Sequence, residues 1–553
     1  MLRLSSTWCR LRSPPPRGYG CSVPRSRPLS SSALLGAYSD IKFSRSPSFG
    51  SNQKPAASLP PLGLIAQPTP STHPHLMKPG EVTPGISELE YELRRAKLMS
   101  ECPDGSVVVV AGYGLRYMTN GIFYPFHQNT NLLYLCGFME PDSALILEKS
   151  PSLDRGFKMT MFVRPRDKRT EIWDGPRAGI EGAESYFGAD EAHPIETLPS
   201  FLEHLVDYPP AGPVFTDLPI TASPPSPLDG THIRTSGGHA ASAASKDNSV
   251  TEFLRHVGFR RKPSGPWPSW ESGKVGKEIE VKRLSPILNQ LRLWKSDAEA
   301  KLMRECGRMA GRAFVETMRA TRPGMTEHDL YAIVDYESRR RGATCLSYVP
   351  VVAGGKNALI LHYTMNTQIL KDGDLVLMDA GAEFGGYASD ITRTWPVNGK
   401  FTSAQADVYE SVLKVQKHCI NLCTESHSMS LDEIQNISFD LLRLECQRMF
   451  KRTVDYLEMN ALYPHHISHW IGLDVHDIGT VSRGKKLEAG MTVTIEPGLY
   501  IPDSPRYPPE YRGIGIRIED DVLVGTKTPI VLTAEAPKEI VDIEHCMSRP
   551  SNV

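Results

Sequence analysis

Hydrophobic and polar positions follow different rhythms in the two halves of the chain. In "SELEYELRRAKLMSEC", Leu89, Leu93 and Leu98 recur close to a 3.6-residue period. Ser87 is placed to cap and Glu90 follows three residues later, so the pattern predicts a helix opening the first ordered domain near Ile86. The runs "SVVVVAG", "LLYLCGF", "SALILEK" and "KMTMFVRP" are short and continuously apolar; they predict strands of a mixed α/β unit reaching about residue 280. From about residue 285 the apolar spacing lengthens. "DAEAKLMRECGRMAGRAFVETMRAT" predicts a long amphipathic helix begun at Ser296 or Asp297, and "RPGMTEHDLYAIVDYESRRRGA" a Pro-Gly turn and a second helix closed at Gly342. Two more helical stretches fall between 403 and 460, and "DLVLMDAGAE", "GYASDITRTWPV", "MTVTIEPGLYI" and "RGIGIRIEDDVLV" read as strands. No repeat at a solenoid period is present.

Composition narrows the class. With 553 residues, 40% hydrophobic and 23% charged, the chain can bury sizeable cores in two or three domains. No apolar run reaches the roughly 18 to 20 residues of a membrane helix, which argues against an integral membrane segment. Residues 1–54 carry nine Lys or Arg against the single acid Asp40, which predicts a mitochondrial presequence. The remainder holds 53 basic and 62 acidic residues, a net −9 with no basic footprint for nucleic acid. Residues 55–85 are too rich in proline for regular helix and predict a linker, and 224–250 lacks a hydrophobic face and predicts a disordered surface insertion. The ten cysteines contain no CxxC pair, and Cys419 and Cys423 share one helix face, so buried thiols are expected.

The unusual feature is acidic. Asp379 ends one strand-like run, Gly385 and Gly386 supply a turn, and Asp390 lies on the next run, so a hairpin would set the two carboxylates side by side. Adjacent buried carboxylates repel unless a proton or a cation lies between them. More acids converge on the same pattern: Glu496 in "TIEPG" and Glu519 in "RIEDD" stand among apolar neighbours, and His469 in "HHISHWIGLDVHD" offers an imidazole. Taken singly, each reads more simply as a turn-former or a satisfied polar group. Together, four carboxylates and one imidazole form a hard, oxygen-rich set suited to two divalent ions such as Mn²⁺.

That order and its flanking residues resemble the aminopeptidase P branch of the metallopeptidases with the pita-bread fold. The matching stretches are "MDAGAEFGGYASDITRTWPVNGKF", "HHISHWIGLDVHDIG", "LEAGMTVTIEPGLYI" and "YRGIGIRIEDDVLV". "PGISELEYELRRAKL" and "FYPFHQNTNLLYLCGFMEPDSALILEK", behind a targeting segment, look most like the mitochondrial members that trim imported precursors. The resemblance implies an α/β chain: a smaller N-terminal mixed α/β domain over 86–280, then a pita-bread (creatinase/aminopeptidase) catalytic domain over 285–545. It implies Asp379, Asp390, His469, Glu496 and Glu519 as metal ligands, with Asp390 and Glu519 bridging two ions and Glu496 also shuttling a proton. His362 and His476 would bind or polarise substrate, and Arg517 would orient acidic ligands or contact substrate; a structural role for either histidine and a solvated strand-end role for Arg517 stay open as the lesser alternatives. The expected partners are peptide or protein N-termini, with homo-oligomers left open. A general Xaa-Pro aminopeptidase and a prolidase-like dipeptidase would share the ligands. Methionine aminopeptidase fits less well, because of the long N-terminal domain and the "GIRIEDD" arginine, and a non-catalytic binding protein on this scaffold would be expected to have lost ligands that are all in place here.

Overall fold

The computed structural model describes residues 65–218 and 279–549. The expected presequence 1–54, the first residues of the expected linker and the expected insertion 224–250 lie outside the described residues.

The N-terminal domain is built on a six-stranded sheet in the order Val281–Lys282, Val214–Thr216, Val107–Ala111, Ala144–Lys149, Phe157–Val163, Glu191–Pro194. Its three central strands are antiparallel and the outer pairings parallel. Alternate residues of the Ala144–Lys149 strand serve two cores. Leu145 and Leu147 pack with Leu98, Leu132 and Met161, whereas Ala144 and Ile146 pack with Leu198 and Leu202. A strand covered on both faces reads as unbroken hydrophobicity, which is the pattern seen in the sequence.

Three segments of this half depart from expectation. "LLYLCGF" is not a strand: Thr130–Cys136 is a helix, capped by the Asn129 side chain accepting the N–H groups of Asn131 and Leu132 and closed by Gly137 at φ 70°. Periodicity does not separate a short, fully buried helix from a strand, so the cap residues decide. The described part of the proline-rich stretch, 65–85, is packed rather than a bare linker. Ile65, Met77 and Val82 are buried, and Gln67 donates to the carbonyls of Val82 and Gly137 while accepting the Met139 N–H. Glu81–Thr83 also pairs with Ile86–Ser87. Proline forbids helix but not burial, so ordered structure begins ahead of Ile86. The helix predicted next is Glu88–Glu101, with Ser87 accepting the Glu90 N–H. Glu90 does not close a capping box; its carboxylate turns to Arg94 and Ser296.

The C-terminal half carries three three-stranded antiparallel sheets, a small one of Cys345–Leu346, Ala382–Phe384 and Tyr387–Ala388 and two larger ones. Of the larger two, one joins Val351–Gly354, Leu375–Ala380 and Ile391–Pro396; the other joins Thr492–Ile495, Asp520–Leu523 and Ile530–Val531. A hairpin of Gly498–Tyr500 and Gly515–Arg517 lies at their seam, stitched by Thr394 Oγ1 to the Arg517 carbonyl (3.1 Å) and the Glu519 N–H to the Thr392 carbonyl (3.0 Å). Helices Asp297–Ala320, Glu327–Arg339, Ser403–Leu422 and Leu431–Phe450 cover the sheets and share one core, in which Phe314, Leu330, Val412 and Ile434 meet Trp395, Ile495 and Val522. Each begins with a reciprocal capping box, at Ser296, Thr326, Thr402 and Ser430, contributing about 1 kcal/mol apiece.

The two halves are joined by buried charge. Arg94 lies between the Tyr91 and Tyr134 rings and reaches Tyr387 and Glu299. Arg292 ties Asn131 of the N-terminal half to Asp474 and Asp477. Tyr387 stands three residues before Asp390 and Asp477 one residue after His476, so both ties end on segments that carry candidate site residues.

Candidate metal centre

The hairpin expected from the glycine spacing is present. Asp379 lies on Leu375–Ala380 opposite Thr392 of Ile391–Pro396, and Asp390 immediately precedes that second strand. Between them the chain makes a short ribbon, Ala382–Phe384 with Tyr387–Ala388, whose tip is Gly385 and Gly386 at φ 60° and 85°, a region that favours glycine. His469 is fixed by its neighbours on the second sheet: its N–H donates to Thr494 Oγ1 (3.1 Å) and its carbonyl accepts the Thr494 N–H (3.0 Å). Glu496 follows the strand Thr492–Ile495 and its N–H donates to the Ile467 carbonyl at 2.8 Å. Glu519 and Arg517 do not share one strand as expected. The strand breaks after Arg517, because the Glu519 N–H turns away to Thr392, yet both side chains face the same space.

That space is a cavity of about 470 Å³ lined by all eight candidate residues: Asp379, Asp390, His469, Glu496, Glu519, His362, His476 and Arg517. Asp390 and Glu519 are 5% and 1% exposed, whereas His362 and His476 are exposed, so the cavity has a buried acidic floor and a histidine rim. His469 Nε2 stands 3.5 Å from Asp390 Oδ2 and 3.7 Å from Glu496 Oε1. One ligand atom each from Asp390, His469 and Glu519 lies within 4.8 Å of the others. Arg517 donates to Asp379 (2.6 Å), to Tyr500 (2.9 Å) and to Thr392 (3.1 Å), and Thr392 in turn donates to Glu519 (2.7 Å). The His469 and His476 rings meet edge to face at 4.5 Å.

Three lining or adjoining residues were missed by sequence reasoning. The Tyr348 hydroxyl lies against both Asp379 and Asp390, and its single proton can serve only one of them at a time. His465 bonds the Tyr500 hydroxyl at 2.9 Å and stands 3.8 Å from Glu496, and His466 lines the cavity beside it. The two histidines were visible in "HHISHW"; nothing in local spacing marks Tyr348.

The electrostatics describe a site short of positive charge. Burial, then repulsion from Asp390 and Glu496, pushes Glu519 well above the usual carboxylate range. Burial raises Asp379, with Arg517 opposing it, and lifts Glu496 to about 7 against the pull of His469 and Arg517. Burial alone would depress His469, but the hydrogen bond to Asp390 and the charges of Glu496 and Asp390 outweigh it and raise it to about 9. At the rim, partial desolvation and then the neighbouring His469 charge lower His476 to about 4. On the cavity floor four carboxylates thus gather about the Arg517 guanidinium and the His469 imidazole, and divalent cations among these oxygen donors would supply the balancing charge. The donor set fits such ions.

Comparison with known proteins agrees. The model of metallopeptidase family M24 matches residues 301–526, and that of the aminopeptidase P N-terminal domain matches 91–211. Xaa-Pro aminopeptidase 3 of Mus musculus is 40% identical over 508 residues, covering 89% of this chain and 92% of the relative. The chain belongs to metallopeptidase family M24. Within M24 it is of the aminopeptidase P type, a hydrolase with the N-terminal domain and pita-bread domain of that group, and the family implies divalent metal ions. Intermediate cleaving peptidase 55 of Saccharomyces cerevisiae is 37% identical, covering 87% of this chain and 88% of the relative. A crystal structure of that yeast protein, Icp55, lacking its N-terminal 58 residues superposes with a TM-score of 0.72 at 35% identity, over 85% of this chain and 99% of the other. Escherichia coli aminopeptidase P in a low pH form gives 0.70 at 32% identity, over 84% and 98%.

Proposed function

We propose that this M24 aminopeptidase is a dinuclear enzyme of mitochondria. It removes a single bulky N-terminal residue, such as Tyr, Leu or Phe, from imported precursors after the main processing cleavage. The observation that carries the reading is the convergence of Asp379, Asp390, His469, Glu496 and Glu519 on one cavity. The chain's relatives in budding yeast, fission yeast and Arabidopsis thaliana are named Intermediate cleaving peptidase 55, the plant one as mitochondrial, which supports the location expected from residues 1–54.

The five residues would hold two divalent ions, Mn²⁺ suiting their carboxylate and imidazole donors, with Asp390 and Glu519 the most deeply buried of the set. When bound, the ions supply Lewis acidity that polarises a peptide carbonyl and brings the pKa of water toward about 7. Glu496, lining the cavity with His469 Nε2 at 3.7 Å, is placed to take a proton and pass it to the leaving amine. His476, held down to about 4, is a neutral imidazole near neutral pH and with His362 offers ring nitrogens to the substrate at the rim. Arg517 orients Asp379 and opposes the burial that raises its carboxyl.

A second reading, a general Xaa-Pro aminopeptidase, is favoured by the name of the 40% identical mouse relative. Mass spectrometry of residues released by metal-reconstituted protein lacking 1–54 separates the two, using peptides led by Tyr-Ser, Leu-Ala and Xaa-Pro. Preferential release of Tyr or Leu supports precursor trimming; preferential cleavage before proline overturns it in favour of the second reading.

A further inference from the structure

Glu327 opens the helix Glu327–Arg339, is wholly buried, and forms no ion pair among the described residues. Its carboxylate is instead filled by four neutral donors from a single loop. Oε1 accepts the Gly354 N–H and Asn357 Nδ2, both at 2.8 Å. Oε2 accepts the Tyr363 hydroxyl at 2.9 Å and the Gln368 N–H at 2.8 Å, and the Glu327 N–H returns a bond to the Gln368 carbonyl at 2.9 Å. An ionised carboxylate has about four lone-pair sites, so every acceptor direction is used. The first turn of a helix favours negative charge, which helps offset the burial.

The geometry assigns this carboxylate a task. The donors bracket residues 354–368, and within the bracket stand Leu361 and His362, the part of the loop that lines the cavity. His362 is exposed and makes no hydrogen bond of its own among the described residues, so its place depends on what holds the loop. Asn366, at φ 50°, adds a second brace by accepting the Val352 N–H and donating to the Pro350 carbonyl. We propose that Glu327 is a positioning residue: it fixes the loop so that His362 meets the substrate at the cavity rim. The proposal rests on the reading above that His362 contacts substrate.

A double-mutant cycle on the full chain reconstituted with Mn²⁺ tests it, using Glu327→Gln, His362→Ala and the pair. The glutamine can accept at one end only and turns its NH₂ against two donors at the other. Glu327→Gln should lower kcat/KM by about tenfold in the wild-type background and leave it within about twofold in the His362→Ala background. Mn²⁺ affinity by calorimetry should stay unchanged in all variants. Losses that multiply, full activity in Glu327→Gln, or Mn²⁺ binding weakened in step with activity would each overturn the positioning role. An unchanged kcat/KM in His362→Ala alone would instead remove the underlying reading of His362. Should Glu327→Gln fail to fold, Tyr363→Phe deletes one donor and enters the same cycle, with about a two- to fivefold loss expected in the wild-type background and none beside His362→Ala.

Discussion

The sheet of the N-terminal domain and the two sheets around the cavity use strands of similar length and bury opposite chemistry. The first encloses Leu145, Ile146, Met159 and Phe162, groups whose contacts are interchangeable in kind. The cavity sheets enclose Thr392, Arg393, Thr394, Thr494 and Asp520, each bound to a named partner. Asp520 shows the cost and the remedy. Burial would raise its carboxyl, but Arg393 at 2.7 Å and Lys538 at 2.6 Å hold it down to about 2, and Gln416 and Thr533 fill its remaining sites. One region makes the fold stable; the other spends buried charge on placing Glu519 one residue away.

If that division is right, mutations in the two regions should separate activity from stability. The largest effect is expected from Glu519→Gln: kcat/KM should fall roughly a thousandfold or more, while chelator-stripped protein melts no lower than wild type, because a group pushed up by burial and repulsion has been neutralised. In the N-terminal sheet, Leu145→Ala should cost about 2 to 5 kcal/mol in urea unfolding and leave kcat/KM of the folded enzyme unchanged. Tyr348→Phe comes next. Loss of its contacts to Asp379 and Asp390 should lower kcat/KM by about tenfold with little change in melting temperature. The smallest is a slope with pH. Glu496 has its folded pKa raised to about 7, so at pH values between its unfolded value and 7 the metal-free folded chain binds a proton that the unfolded chain does not. The Glu496 contribution to the stability of stripped protein, read as wild type minus Glu496→Gln, should therefore fall as pH rises through this window, Mn²⁺ should abolish that fall, and the Leu145→Ala deficit should be the same at both ends. A uniform loss of activity and stability for every variant would collapse the distinction between the regions.

The same contrast explains what the sequence disclosed. Asp379 and Asp390 were legible because a hairpin is a local event: two strands and a glycine tip lie within one short stretch. The helices of the C-terminal half were legible from amphipathic period and caps such as Ser296 and Ser430. Leu132 to Cys136 misled because a segment buried on every side loses the period that tells helix from strand. Tyr348 and Glu327 were invisible for another reason. Their importance lies in partners reached through space, Asp379 in one case and the 354–368 loop in the other, and no local pattern records such a contact. The break between Arg517 and Glu519 belongs to the same class, since it is set by Thr392 on a different sheet.

The central claim is that Asp379 on its strand and four side chains from the segments beside the cavity strands make one centre for two divalent ions. Mn²⁺ titration of chelator-stripped wild-type protein by calorimetry, with peptide hydrolysis followed in parallel, tests it most directly. Two ions bound per chain, with hydrolysis absent before titration and restored by it, is the predicted result. A stoichiometry of one or none, or hydrolysis that persists in the stripped protein, would contradict the account.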